Sequence, residues 1–483
     1  MERADVVVIG SGFGGLGAAL ELARGGLDVV VLEAMNYPGG CGSTHTRRGV
    51  RFESGATLAT GVQEGQLFAR WLGQYGIDLP ARPLDPVMVQ VLTVDGEVVD
   101  VPLPADRWGW VEALRPLDVD VDAVASFLTE QQQVAGPLWE LFDHPELLPP
   151  LTVSAVAQHL GRLTRYLRAL PGVGRPLAHR LARHGLAEGP VRRLLDGLCQ
   201  ITVQCGAGEA EAPFAMGAME AFFRGTSHIH GGVGTLAEAL VDALEREGGQ
   251  LRYAHRAKEL RREEGRWRVA TQRGDLVADT VVANTLPGDL LAMGELPPAE
   301  LTRGQARVET GWGAAMLYRQ LRSDAVAPAA GHRQLLGERL VDGESVFLSW
   351  SAADEDRGKP GIRTLVASTH VPLTGGDLDG GAVERVQERM RATVRRLAPD
   401  LDGATVDEWT ASPRTFARFT GRSSGHVGGV PRRAGLSAYG SLWPRPVAED
   451  LWLVGDSGLF GQSLLATAVG GARVAAAILG VSP

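Results

Sequence analysis

The glycines near the start of the chain have the spacing of a turn that can hold phosphate groups. Gly10, Gly12 and Gly15 separate an apolar run, residues 5–9, from a segment with a helical pattern, residues 16–24. Gly10 permits a tight turn, Gly12 lets the backbone approach a pyrophosphate, and Gly15 lets the helix pack close to the strand. The amide groups at the start of the helix would face the phosphates. The pattern therefore predicts a βαβ unit that holds a dinucleotide.

A carboxylate stands where the second strand of this unit would end. Glu33 directly follows the apolar run at residues 28–32. A carboxylate at this point can accept hydrogen bonds from both hydroxyls of an adenosine ribose, and it repels a 2′-phosphate. We therefore expect NAD or FAD.

A polar pair near the end of the chain helps to distinguish these two cofactors. Gly455 and Asp456 follow a buried strand pattern, and a helix rich in small residues starts near Ser463. The positive end of that helix could stabilise negative charge on a reduced flavin, and Asp456 could bind a ribityl or ribose hydroxyl. A nucleotide motif at the start and a polar contact at the end favour an extended FAD over NAD.

Composition sets limits on what the chain does. It has 483 residues, 44% hydrophobic and 22% charged, which is typical of a globular protein with two or more domains. The net charge of −9 argues against general nucleic-acid binding, because a surface that binds phosphates must be basic. Cys41, Cys199 and Cys205 are too scattered for a disulfide framework or a metal site. No run approaches the roughly 18 apolar residues of a membrane span, and the chain begins directly with a strand, so we expect a cytoplasmic protein.

The order of patterns along the chain predicts an α/β fold with a discontinuous nucleotide-binding domain of the Rossmann type. A hairpin with Asp95 and Gly96 at its turn, and a later alternation of strands with a helix, indicate a mixed sheet-and-helix substrate domain. Thr235 and Glu238 have the spacing of a capping box, which predicts a helix from Thr235 to Glu247. The expected segments are 1–85, first part of the nucleotide domain; 86–105, substrate-domain hairpin; 106–224, inserted helical subdomain; 225–290, second part of the nucleotide domain; 291–445, substrate domain; and 446–483, last part of the nucleotide domain.

Residues 151–195 differ from the rest of the chain because they carry eight arginines against a single acid, Glu188. On the helix predicted there, one side carries Leu160, Leu163, Leu167 and Leu170, and the other carries Arg162, Arg165 and Arg168. A basic amphipathic helix can lie on an anionic membrane surface. Alternatively, it packs its leucines on the core and leaves its arginines in solvent.

Taken together, these motifs resemble the flavoprotein amine-oxidase and bacterial-type phytoene desaturase superfamily, nearly from end to end. Within it, the chain is similar to the branch that contains prolycopene isomerases, retinol saturases and carotenoid C-3′,4′ desaturases. The residues that carry this resemblance are 10–15, 33, 38–44, 52–57, 231–234, 247–249, 412–422 and 454–457.

The resemblance implies a bound FAD and a hydrophobic polyene substrate taken from a membrane. It favours docking of residues 151–195 on the membrane surface and hence a peripheral membrane protein, because a long polyene has no aqueous route to a site. Ala257 would lie on the adenine side of FAD and Asp456 near its ribityl chain. The residues expected to hold FAD are Gly10, Gly12, Gly14, Gly15, Glu33, Ala34, Gly40, Ser43, Ala257, Gly455, Asp456 and Leu465.

The resemblance further implies an FAD-dependent carotenoid desaturase that takes a hydride from an acyclic polyene and passes electrons to quinone or oxygen. A redox-neutral carotenoid isomerase that uses reduced FAD, a polyene saturase and a non-catalytic carotenoid-binding flavoprotein are the alternatives. No catalytic residue is assigned, since hydride transfer to a flavin needs positioning more than a protein acid or base.

Two features depart from the family pattern. Cys41 stands where the family often has an arginine after the paired glycines, so the sequence does not show which cation meets the pyrophosphate. Residues 458–465 replace a segment rich in proline and glycine that many phytoene desaturases have, which argues against phytoene as the substrate. Arg414, Arg418 and Arg422 are expected to be structural groups or to lie at the mouth of a tunnel.

Overall fold

A computed structural model describes residues 2–149, 151–373, 380–440, 442–459 and 461–481. The strands are β1 (Glu2–Ile9), β2 (Val29–Leu32), β3 (Thr44–Arg47), β4 (Val50–Glu53), β5 (Ala81–Pro83), β6 (Met88–Val94), β7 (Glu97–Leu103), β8 (Ser227–Ile229), β9 (Gln250–Arg252), β10 (Ala257–Glu263), β11 (Arg266–Thr271), β12 (Gly274–Ala283), β13 (Trp312–Arg322), β14 (Gly331–Leu336), β15 (Val346–Trp350), β16 (Ile362–Pro372), β17 (Thr405–Ala411) and β18 (Leu451–Leu453). The helices are α1 (Phe13–Arg24), α2 (Leu67–Gly73), α3 (Gly109–Leu114), α4 (Val121–Asp143), α5 (Val153–Tyr166), α6 (Leu177–Arg183), α7 (Pro190–Val203), α8 (Ala212–Phe223), α9 (Gly234–Arg246), α10 (Pro287–Leu291), α11 (Pro298–Val308), α12 (Gly380–Leu397), α13 (Pro399–Gly403), α14 (Pro413–Thr420) and α15 (Leu464–Leu479).

The first sheet gathers strands from distant parts of the chain. Its order is β10-β11-β12-β1-β2-β9, and β18 pairs with β12. The central strands are parallel, with Val7 opposite Val30 on one side and Val281 on the other. Valines on both faces of β1 and β2 are buried, as expected for a parallel sheet covered by helices. The predicted Rossmann-type unit, assembled from separate parts of the chain, is confirmed, while the predicted domain limits stay a prediction.

Small residues allow the first and last helices to approach each other closely. A Cβ atom on Gly17 would lie 2.6 Å from the Ala468 carbonyl oxygen, and one on Gly471 would lie 2.1 Å from the Gly14 carbonyl oxygen. Larger side chains at these positions would push the two backbones apart. The contact holds α15 against the helix that follows the glycine turn.

The second sheet has the order β17-β13-β16-β15-β14-β6-β7 and is antiparallel except for the pairing of β14 with β6. The predicted hairpin is its edge, and Asp95 and Gly96 at the turn both have positive φ, 50° and 86°. Val386, Met390 and Val394 of α12 pack on the buried face of the sheet. This is the mixed sheet-and-helix layer expected for the substrate domain.

Helices α3 to α8 form the inserted helical part, and apolar residues of α3, α4, α6, α7 and α8 share one core with the β6–β7 hairpin. Phe127 of α4, Leu198 of α7 and Met216 of α8 are members of that core. The helical part is therefore packed on the edge of the second sheet.

The capping box predicted for α9 is wrong. The helix begins at Gly234, and the Thr235 hydroxyl donates to the His230 carbonyl instead of capping the helix. Side chains from the β3–β4 hairpin take over the first amides, because the Glu53 carboxylate accepts from Val233 N–H and the Thr44 hydroxyl accepts from Gly234 N–H. Tertiary contacts thus replace the local cap.

The amphipathic helix does not pack its leucines on the core, which was one of the two interpretations of its sequence. Along α5 and just beyond it, Leu160, Leu163 and Leu167 are 69%, 54% and 51% exposed. The Nε atom of Arg162 and the Nη1 atom of Arg165 lie 3.2 Å and 3.0 Å from the Glu140 carboxylate on α4. The arginines therefore fasten the helix to the protein, and its apolar side faces outward.

In the part of the chain that the structure describes, no helix combines the length and the apolar character needed to cross a bilayer.

Candidate active site

A cavity of about 1300 Å³ extends from the first sheet to the second. Its walls include the glycine turn before α1, strand residues such as Met316 and His370 of the second sheet, and Phe142 and Phe214 from the helical part. The cavity therefore joins the predicted nucleotide cradle to a largely apolar region.

The glycine turn leaves no space for side chains. Gly10 has φ +92°, a conformation that favours glycine. A Cβ atom on Gly12 would lie 2.5 Å from Asn284 Nδ2, and one on Gly15 would lie 2.1 Å from the Gly10 carbonyl oxygen. Gly15 does not line the cavity, so its part is the close packing of α1 on β1 that the sequence predicts.

The paired glycines lie against this turn. Gly39 N–H donates to the Ser11 carbonyl at 2.9 Å, and Gly40, with φ +60°, follows directly. The buried Ser43 hydroxyl donates to the Gly40 carbonyl at 2.7 Å and so fixes the loop. The two glycine segments therefore form one bare backbone surface at the cavity.

Glu33 is held in place at the end of β2. One carboxylate oxygen accepts from the N–H and the hydroxyl of Ser11, at 2.9 Å and 2.6 Å, and the other accepts from Met35 N–H at 2.8 Å. The second oxygen keeps a free lone pair for a further donor. Ala34 and Ala257 line the same part of the cavity, on the side where an adenosine would lie.

The C-terminal residues reach the same place. A Cβ atom on Gly14 would lie 2.9 Å from Gly455 N, so the two turns touch. Leu465 lies in the first turn of α15, which Ser463 caps by accepting from Ala466 N–H at 2.9 Å. Of the twelve residues predicted to hold FAD, all except Gly15 line the cavity.

An ion pair that the sequence did not predict occupies the centre of the site. Arg422 Nη2 donates to Asp456 Oδ2 at 2.8 Å, and Arg422 Nε donates to the His426 carbonyl. Cys41 lies near this guanidinium, and burial raises the pKa of its thiol, which is therefore protonated at neutral pH. In this chain Cys41 stands at the loop position where the family often has an arginine. Arg422 thus supplies a cation near that position from a distant segment. Arg418 also lines the cavity, whereas Arg414 does not.

Asn284 is a second residue that sequence reasoning missed. It follows β12, its N–H donates to the Ile9 carbonyl at 2.8 Å, and its amide lies between Gly12, Gly14 and Gly455. A polar residue at the carboxyl end of a central parallel strand was the available signal, because ligands of such sheets bind there.

The other arm of the cavity is apolar, with a few neutral polar groups. Ala314, Met316, Phe347 and Phe416 line it. Burial lowers the pKa of His45 and of His370 to about 4, so both imidazoles are neutral at pH 7. This arm suits a long hydrophobic ligand.

The residues present fit FAD. The bare backbone at Gly12 and Gly40 would receive the pyrophosphate, Glu33 the ribose hydroxyls, and the cavity continues past Asp456 for the rest of the molecule. The groups that meet in this cradle come from the start, the middle and the end of the chain, as an extended cofactor requires.

Comparisons with known proteins agree with this site. The family model for flavin containing amine oxidoreductase matches residues 13–478. Prolycopene isomerase of Arabidopsis thaliana is 24% identical over 98% of this chain and 82% of its own length, and hydroxyneurosporene desaturase of Cereibacter sphaeroides is 26% identical over 98% and 97%. An oxidoreductase from Methanosarcina mazei has the same fold, with a TM-score of 0.65 and 15% identity over 98% of this chain and 99% of its own. The chain therefore belongs to the flavin-containing amine oxidoreductase family and, with these relatives, to the superfamily of carotenoid desaturases and isomerases, and its cofactor is FAD.

Proposed function

We propose that this chain desaturates an acyclic carotenoid by removing a hydride and a proton from adjacent carbons, and that it passes the electrons to a quinone or to oxygen. The observation that carries the proposal is the continuity of the cavity, which joins the FAD cradle to an apolar arm without a break. The similarity to a carotenoid isomerase and a carotenoid desaturase over 98% of the chain supports a polyene as the substrate.

FAD, when bound, supplies the hydride acceptor. The chain then has to hold FAD in one position, which is the proposed task of the glycine cradle, Glu33 and the Arg422–Asp456 pair. It also has to place the reacting carbon at roughly 3 to 3.5 Å from the acceptor. A stiff polyene between the walls at Met316 and Phe416 would meet this requirement without a polar anchor at the reacting bond.

The apolar walls also exclude water from the reacting carbons. His45 and His370 remain neutral there and can accept a proton, although no catalytic role is assigned to either. The Tyr318 hydroxyl donates to the Ser54 carbonyl at 2.8 Å and is therefore occupied.

We further propose that the apolar side of α5 docks on a membrane, from which the substrate enters. Leu148, just before α5, and Ala169, just after it, both line the cavity, so the exposed leucines lie next to its wall. Exposed apolar patches of this kind are typical of interaction surfaces. Two of the three arginines on the basic side of the predicted helix, Arg162 and Arg165, pair with Glu140, so the leucines are the proposed contact.

Redox-neutral isomerisation with reduced FAD is the second candidate. The specific observation in its favour is the similarity to prolycopene isomerase over nearly the whole chain.

The test is incubation of the purified, FAD-loaded protein with acyclic carotenoids in liposomes, with and without a quinone, followed by chromatography of the polyenes. Desaturation predicts a product with a longer chromophore that depends on quinone or oxygen. A geometric isomer of unchanged composition, formed only after a reductant is added, would favour the isomerase. No change in any polyene under either condition would contradict both.

A further inference from the structure

One face of α8 forms a continuous wall of the cavity. The residues of α8 that line it are Pro213, Phe214, Gly217, Ala218, Ala221 and Phe222. Residues spaced three and four apart share one face of a helix. From the first to the last of these residues the wall is roughly 13 Å long, because a helix rises about 1.5 Å per residue. The opposite face, with Met216 and Met219, packs in the core of the helical part. Helix α8 therefore lies lengthwise along the cavity.

The two ends of this wall differ in their distance from the protein surface. At the first end, the Phe214 ring lies 5.2 Å from the ring of Tyr439, and Leu436 in the same short helical turn as Tyr439 is 70% exposed. At the other end, Phe222 and the cavity residue Thr226 are 2% and 1% exposed. The cavity thus comes near the surface at Phe214 and is closed by buried residues at Phe222.

Gly217 lies between these ends, and neither backbone conformation nor packing requires glycine there. It is part of a regular α-helix, and a Cβ atom on it would lie 3.7 Å from Leu138 Cδ1, an ordinary van der Waals distance. The glycines between α1 and α15, in contrast, leave no room for a Cβ atom. Glycine inside a helix is less favourable than alanine. The open space beside Gly217 therefore calls for an explanation outside the fold.

That space belongs to the cavity. Gly217 and Ala218 are half-buried, whereas Met216 and Met219 beside them are buried, so the accessible surface of the two small residues is the cavity wall. On α4, Trp139 Nε1 donates to the Gly217 carbonyl at 2.7 Å, which holds the indole against α8. A longer side chain at position 217 would extend from the cavity-lining face of α8 and narrow the passage.

We propose that Gly217 determines the length of polyene that the cavity accepts, by keeping the passage open between Phe214 and the closed end at Phe222. The inference rests on the proposed function, because it assumes a polyene in the cavity. Gly217 and Phe222 are separated by roughly 7 Å along the helix axis, a distance comparable to one isoprene unit. A larger residue at position 217 would deny this last stretch to the end of a long polyene and would still admit a shorter one.

The test compares neurosporene with 4,4′-diaponeurosporene, which have the same chromophore and differ by one isoprene unit at each end. Dissociation constants for the FAD-loaded protein are measured by quenching of tryptophan fluorescence, and conversion of each polyene is measured with quinone. Gly217→Leu should weaken binding of the longer polyene at least about tenfold more than binding of the shorter one. Gly217→Ala should change the ratio of the two constants in the same direction by a smaller factor, and it should not lower the melting temperature.

Gly136→Leu is the matched control. Gly136 lies on α4, a Cβ atom there would meet open space among the described residues, and the residue does not line the cavity. This variant should leave the ratio of dissociation constants unchanged.

An unaltered ratio in folded, FAD-loaded Gly217→Leu would overturn the inference. Equal weakening of both polyenes, or the same shift in Gly136→Leu, would also overturn it, because the effect would then not depend on length or on position 217. If Gly217→Leu does not fold, the ratio in Gly217→Ala decides by the same criterion. If the unchanged protein converts neither polyene, the proposed function fails, and the ratio of dissociation constants still decides the inference.

Discussion

Replacing the exposed leucines beside α5 should detach the protein from membranes while leaving its fold intact. Three leucines are each at least half exposed, Leu160, Leu163 and Leu167. Because these side chains are not part of the core, replacing them with serine should leave the fold stable. Transfer of their exposed fractions into a bilayer is worth about 3 kcal/mol in total. The triple variant should therefore bind liposomes roughly 100-fold more weakly.

Flotation with neutral and with anionic liposomes measures this effect. Val98→Ser is the matched control, because Val98 is 51% exposed but lies on β7 at the edge of the second sheet. Retention of FAD and an unchanged melting temperature would show that the leucine variant is folded. Undiminished binding of that variant would refute the proposed docking surface.

Three further predictions concern the cofactor site and pH stability. Gly12→Ala should abolish FAD binding, measured by flavin fluorescence after gel filtration, because its Cβ would lie 2.5 Å from Asn284 Nδ2 and would also cover the bare backbone; normal FAD content would contradict this. Arg422→Met should lower both FAD content and melting temperature because it leaves the Asp456 carboxylate unpaired, and adding Asp456→Asn should restore the melting temperature; no recovery would show that the pair is not the cause. Burial raises the pKa of Glu355, but the hydrogen bond with His228 and the charge of Arg357 outweigh it and hold the value at about 2. The stability that this depressed pKa contributes is present above the ordinary glutamate value and is lost as the pH falls from about 4.5 toward 2, so urea midpoints should drop over that range and drop less in Glu355→Gln; equal slopes would exclude this carboxylate as the source.

The nucleotide cradle could be predicted because its signals are local in sequence. The turn at Gly10 and Gly12 and the carboxylate at Glu33 belong to one short βαβ unit, whose geometry follows from glycine conformations and strand order. The hairpin at Asp95 and Gly96 was predictable for the same reason, since both residues tolerate positive φ.

The rest of the site depends on contacts between distant segments. Arg422 meets Asp456, and the backbone N–H of Arg432 meets the Val203 carbonyl, only after the substrate sheet and the helical part have packed on the first sheet. The orientation of α5 shows the same limit, because helical periodicity separates leucines from arginines but does not say which side faces the protein. Glu140, on another helix, decides it.

The most direct test of the account is an anaerobic single turnover with equal amounts of FAD-loaded protein and an acyclic carotenoid, in which flavin absorbance and polyene absorbance are followed together. The account predicts that one flavin is bleached for each new double bond, with both changes at the same rate. Oxidised flavin and polyene that both remain unchanged, although tryptophan quenching shows the polyene to be bound, would contradict it.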